Sequence, residues 1–132
     1  MELAYARTCR APYEKVVEAV ERMSASHGFS ICEKRDIQAM LAAKGFAIAP
    51  LTIFEMLPAR ESAEWHDLPE VIVRCRVHVA VVDDDVSVGA IRPTALCSAL
   101  LRGAVEDVMR DLDRTVVALV DDVAATSGSS ST

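Results

Sequence analysis

Apolar residues run along this chain at two periods, one near four and one of two. Between Pro12 and Gly28, Tyr13, Val16, Val17, Val20 and Met23 recur at three- and four-residue spacing, and Glu14, Lys15, Glu18, Glu21 and Arg22 fill the opposite side. That spacing predicts an amphipathic helix. Pro12 suits its first turn, where a missing N–H costs nothing, and Gly28 suits the left-handed position that ends it. A second stripe, Val105, Val108, Met109, Leu112, Val116, Leu119 and Val120, predicts a closing helix from about 105 to 123.

The period-two segments predict strands at Leu3–Cys9, Phe29–Glu33, Ile48–Met56, Val71–Val82 and Val86–Ile91. Asp36 is placed to cap a short helix over 37–44, and Pro50 predicts an edge strand or a bulge. In Val71–Val82, Val71, Val73, Cys75, Val77, Val79 and Val81 share the core face. Ile72, Arg74, Arg76, His78, Ala80 and Val82 share the other. Asp83-Asp84-Asp85 predicts the turn of an antiparallel hairpin. It lacks the glycine and distal glutamate of a calcium-binding loop. Pro93 ends the following strand, and Thr94 is placed to cap a turn at 95–101.

The order strand, helix, four strands, helix predicts an α+β fold of two layers, an antiparallel sheet with both long helices on one face. Residues 1–125 form one domain in this reading. The tail 126–132, ending in SGSSST, has nothing to bury and is expected to be disordered. With 52% hydrophobic but only 5% aromatic residues, the core must be aliphatic.

The formal charge of −6 argues against binding to nucleic acid or to an anionic membrane. No apolar run reaches the ~18–20 residues that span a bilayer. Met1-Glu2-Leu3-Ala4 lacks a basic and then apolar start, so a cytoplasmic location is expected. Cys9, Cys32, Cys75 and Cys97 follow no zinc spacing and read as reduced, apolar fillers. There is no GxGxxG, Walker, GxSxG or HExxH pattern to support nucleotide binding, serine hydrolysis or a metalloprotease.

Candidate chemistry therefore rests on single residues. Arg74, Arg76 and His78 project to one sheet face at intervals of about 7 Å, a set that can clamp a carboxylate or phosphate. Cys75 lies between the arginines but on the valine face, where a thiol is expected to be inert. It is a nucleophile only if the strand exposes it, and His78 points away from it. Trp65 and His66, in Glu64-Trp65-His66-Asp67, belong to a polar segment, Leu57–Pro69, that can pack over the core edge, act as a lid or donate to a metal.

These residues, read together, resemble the bacterial domain-of-unknown-function 302 family over nearly all of residues 2–123. The resemblance is carried by the Tyr5–Thr8 strand, the helix ending at Gly28-Phe29, and Asp36-Ile37 with Ala39 and Leu41. Cys75 in its valine-rich strand, the acidic turn 83–85 and the Ile91-x-Pro93 corner extend it. Many members carry Cys-Asn-Pro and Leu-Pro-Cys-Asn where this chain has Met56-Leu57-Pro58 and Val73-Arg74-Cys75-Arg76. The resemblance implies a TATA-binding-protein-like β-α-β₄-α fold, a homodimer, and no settled activity.

The first expectation for function is thus a cytoplasmic homodimer that binds a small anionic or amphipathic ligand through Arg74, Arg76 and His78. The rivals are an enzyme with its site between loop 57–69 and strand 71–82 (Cys75, His66 or His78), a metal- or haem-binding domain using the same residues, and a subunit whose sheet face docks another protein. The cofactor is left unknown.

Overall fold

The computed structural model describes residues 4–58, 74–91 and 104–126, the last segment with side chains from Arg110 onward. Its elements are β1 (Ala4–Cys9), α1 (Tyr13–Ser26), β2 (Phe29–Asp36), α2 (Ile37–Ala42), β3 (Leu51–Pro58), β4 (Cys75–Val82), β5 (Asp85–Ile91) and α3 (Ala104–Ala124). The five strands form one antiparallel sheet in the order β1-β5-β4-β3-β2. The α+β class is therefore as the sequence predicts.

The helices form where the apolar stripes are. In α1, Val16, Val17, Ala19 and Val20 are buried, and in α3 so are Leu112, Val116, Leu119, Val120 and Val123. α1 lies against β2, β4 and β5, α3 lies against β1 and β5, and the two helices touch each other. The same buried cluster includes Phe54 and Met56 of β3, Cys75, Val77 and Val79 of β4, and Val88 and Ala90 of β5. Polar contacts tie the layers at their rims. Tyr5 and Arg7 of β1 both donate to Asp121 of α3, and Lys34 of β2 pairs with Glu21 of α1. His27, after the last turn of α1, meets Asp122 of α3 at 2.7 Å.

Local punctuation follows the sequence closely. Gly28 has φ +81, the left-handed position past the end of α1. The Asp36 carboxylate accepts from the Ala39 amide at 2.9 Å and caps α2. Asp83 and Asp84 both have positive φ (50 and 68), the primed-turn conformation that matches the twist of a two-residue hairpin. Asp85 is already the first residue of β5 and pairs with Val82.

The boundaries of β2, β3 and α2 differ from the sequence reading. β2 runs on to Asp36 rather than ending at Glu33, because pairing with β3 carries a charged segment that has no apolar signal of its own. It reaches that length through a register shift between Ile31 and Glu33, which leaves Cys32 exposed instead of packed. β3 starts at Leu51, and Pro50 stands just outside it, its carbonyl accepting from the Val81 amide at 3.0 Å. β3 is an inner strand, so the proline marks a strand start and not an edge. α2 ends at Ala42, two residues early, where a turn closes at Gly45 with φ +89. The expectations for Trp65 and His66, for residues 71–73, for Thr94, for Cys97, and for most of the 126–132 tail fall outside the described residues. So do the side chains of Val105, Val108 and Met109.

Candidate functional site

The face of the sheet turned away from the core can be read row by row from the strand register. One row holds Ala4, Ile91, Arg76, Glu55 and Glu33, and the next holds Ala6, Gly89, His78, Ile53 and Arg35. The β2–β4 side of this face is charged. In these two rows the β1–β5 side carries only small or apolar side chains.

Glu55 organises the charged side. It is the lone charge in the apolar run of β3, and its side chain is only 5% exposed. Arg74, one residue ahead of β4, donates to its Oε1 at 3.0 Å. Arg76 and Arg35 stand 3.6 Å from its Oε2. Arg35 also pairs with Glu33, so it bridges two carboxylates that face each other directly across β2 and β3. Like charges so placed repel, and a shared guanidinium removes the conflict. The hydrogen bond from Arg74 and the charges of Arg76 and Arg35 hold the Glu55 carboxyl below its ordinary range. Among the described residues, three guanidiniums stand against Glu55 and Glu33, on a chain whose formal charge is −6.

The structure thus brings Arg74 and Arg76 together, but through Glu55, which the sequence reading did not single out. Arg35 was missed as well, because β2 was expected to stop short of it. One signal was available for Glu55: an isolated glutamate in Leu51–Leu57, a run otherwise without charge. His78 stands beside the cluster on the same face, and burial pushes its imidazole below the usual histidine range.

Cys75 is buried on the opposite, core face, and burial alone pushes its thiol up to about 12. Such a group is fully protonated at neutral pH. Iodoacetamide on the native protein is therefore expected to label exposed Cys32 and leave Cys75 unmodified until denaturant is added. Labelling of native Cys75 at a comparable rate, read by peptide mass spectrometry, would contradict this burial.

Elsewhere, a groove of about 330 Å³ between α2 and the loop after it is lined by Gln38, Ala39, Ala42, Phe46, Ala47 and Ile48. It is apolar and brings no ionisable group to a ligand. Among the described residues, no three His, Cys, Asp or Glu side chains group as a metal site. No helix among them is long and apolar enough to cross a membrane.

Comparison with known proteins places the chain in a family without a described activity. Residues 5–123 match the family model for a domain of unknown function, DUF302, and the chain belongs to that family. Among solved structures, it is similar to an uncharacterized conserved DUF302 protein from Bacillus stearothermophilus. The TM-score is 0.82 at 19% identity, over 92% of this chain and 98% of the other. At that identity the likeness is one of fold. No curated protein gives a significant match.

Proposed function

We propose that this chain is a cytoplasmic, homodimeric domain that binds a small anionic or amphipathic ligand on the sheet face turned away from its core. In this reading both long helices cover the other face, in the TATA-binding-protein-like arrangement. The mutual contact of α1 and α3 and their shared core with the sheet support that placement. The observation that carries the ligand reading is the convergence of Arg35, Arg74 and Arg76 on one carboxylate, with Arg76 still 61% exposed. Guanidiniums present planar forks of N–H donors that match carboxylate and phosphate oxygens. The small side chains next to the cluster leave room for an organic body beside the charged head.

The test is the double variant Arg74→Ala/Arg76→Ala, titrated with inorganic phosphate and with butyrate and followed by amide chemical shifts. Wild-type protein is expected to show saturable shifts centred on β3 and β4. The double variant is expected to bind at least about tenfold more weakly, with an unchanged helical circular dichroism spectrum. Equal binding by the folded double variant overturns the assignment of this face.

A further inference from the structure

The arginine cluster accounts for one end of this face, and His78 and Gly89 beside it are left unexplained. Gly89 sits in the middle of β5, an inner strand, where glycine weakens a sheet and forgoes a packed side chain. Its φ is not left-handed, so no backbone demand explains it. The reason is spatial. A Cβ on Gly89 would fall 2.8 Å from Cε1 and 2.9 Å from Nε2 of His78, and 3.0 Å from Cβ of Ala6. The His78 ring therefore lies across β5, in a seat that exists because Gly89 and Ala6 have little or no side chain.

The ring held there has unmet capacity. Neither nitrogen of His78 has a hydrogen-bond partner among the described residues, and burial keeps the imidazole neutral. Such a ring offers one donor and one acceptor at once. Arg76, two residues away on the same face, is 61% exposed and among the described residues has only the 3.6 Å ion pair to Glu55. Most of its five N–H donors are open to the solvent. Along β4 the two Cα atoms are about 7 Å apart, a gap the long arginine stem can close. Ala4 and Ala6, both exposed, leave the β1 side of this space low, and Ile53 and Ile91 border it.

We propose that Arg76 and His78 form a two-point site for a small hydroxylated organic acid, Arg76 holding the carboxylate and His78 exchanging a hydrogen bond with the hydroxyl. A hydroxyl is both donor and acceptor, as the neutral ring is, and a second anionic oxygen at His78 would meet a ring that resists protonation. The small-residue floor accepts a carbon skeleton of a few atoms and no large ring system beneath the imidazole. This assignment rests on the anion-binding reading above and specifies its ligand.

The experiment compares 3-hydroxybutyrate with butyrate, two probes with the same carboxylate, by amide and histidine-ring chemical shifts on the full chain. Wild-type protein is expected to bind 3-hydroxybutyrate about tenfold more tightly, the size of one well-made hydrogen bond. His78→Phe is expected to bring the two affinities together. Gly89→Ala, which evicts the ring from its seat, is expected to do the same. Arg76→Gln is expected to weaken both probes while the preference for the hydroxyl survives. The amide spectrum reports in each case that the variant is folded. Equal affinities in the wild type overturn the two-point site but leave anion binding standing. A preference that persists in both His78→Phe and Gly89→Ala overturns it too, since the hydroxyl is then read elsewhere. Failure of both probes to bind the wild type overturns both readings.

Discussion

Phe54→Ala is expected to lose about 3–5 kcal/mol of stability, the cost of deleting a fully buried aromatic ring from a packed core. Phe54 has no exposed surface and sits on β3, between β2 and β4, on the buried face of the sheet. The core cluster it belongs to is rich in valine, and short β-branched side chains on a sheet cannot swing in to fill the space. For a domain whose total stability is roughly 5–15 kcal/mol, that loss is a large share. Phe46, by contrast, is 62% exposed beside α2, and Phe46→Ala is expected to change stability by less than about 0.5 kcal/mol. Urea unfolding of the two variants decides the matter. Similar midpoints for both would mean that Phe54 is not packed in the core.

Glu55→Gln is expected to destabilise the protein at neutral pH and, at the same time, to strengthen anion binding. The substitution keeps the shape but removes the charge that Arg35, Arg74 and Arg76 share. Three guanidiniums then repel one another around a neutral amide. The same change removes a competitor from the cluster, so phosphate is expected to bind about tenfold more tightly. A purely structural cluster gives the first effect without the second.

The pH dependence separates Glu55 from His78. The Glu55 carboxyl has a folded-state value below its ordinary 4.5, so its contribution is complete above that value and is lost as the pH falls through the folded one. The His78 imidazole has a folded-state value below its ordinary 6.5, because burial disfavours the charged ring. Its contribution is complete above 6.5 and is lost as the pH falls through its own lowered value. Both make acid destabilising, in two windows. In Glu55→Gln the loss below about 4.5 is expected to flatten while the loss that begins near 6.5 persists. Urea midpoints from pH 8 to pH 3 read both windows. An unaltered acid limb in Glu55→Gln would show that Glu55 is not held by the arginines.

Much of this molecule was written into the order of its residues. The stripes of α1 and α3, the valine alternation of β4, the Asp36 cap, the Gly28 stop and the Asp83–Asp84 turn each depend on neighbours at most a few positions away. Local spacing and local backbone preference suffice to determine such features. Period two also separated Cys75 from Arg76 and His78, and so distinguished an inert thiol from the exposed face before any contact was known.

The tertiary structure decided what pairing decides. The last three residues of β2 carry charges and no apolar face, so only the ladder with β3 makes them strand, and only that extension brings Arg35 to Glu55. Glu55 is twenty positions from Arg35 and about as far from Arg74 and Arg76, and no local rule places four such residues in one cluster. The seat of His78 over Gly89 is of the same kind, since the two meet only because β4 and β5 pair in one register and not in its neighbour. Elements followed from spacing along the chain, whereas the candidate site followed from register across the sheet, and register is fixed by long-range packing that no short window of sequence contains.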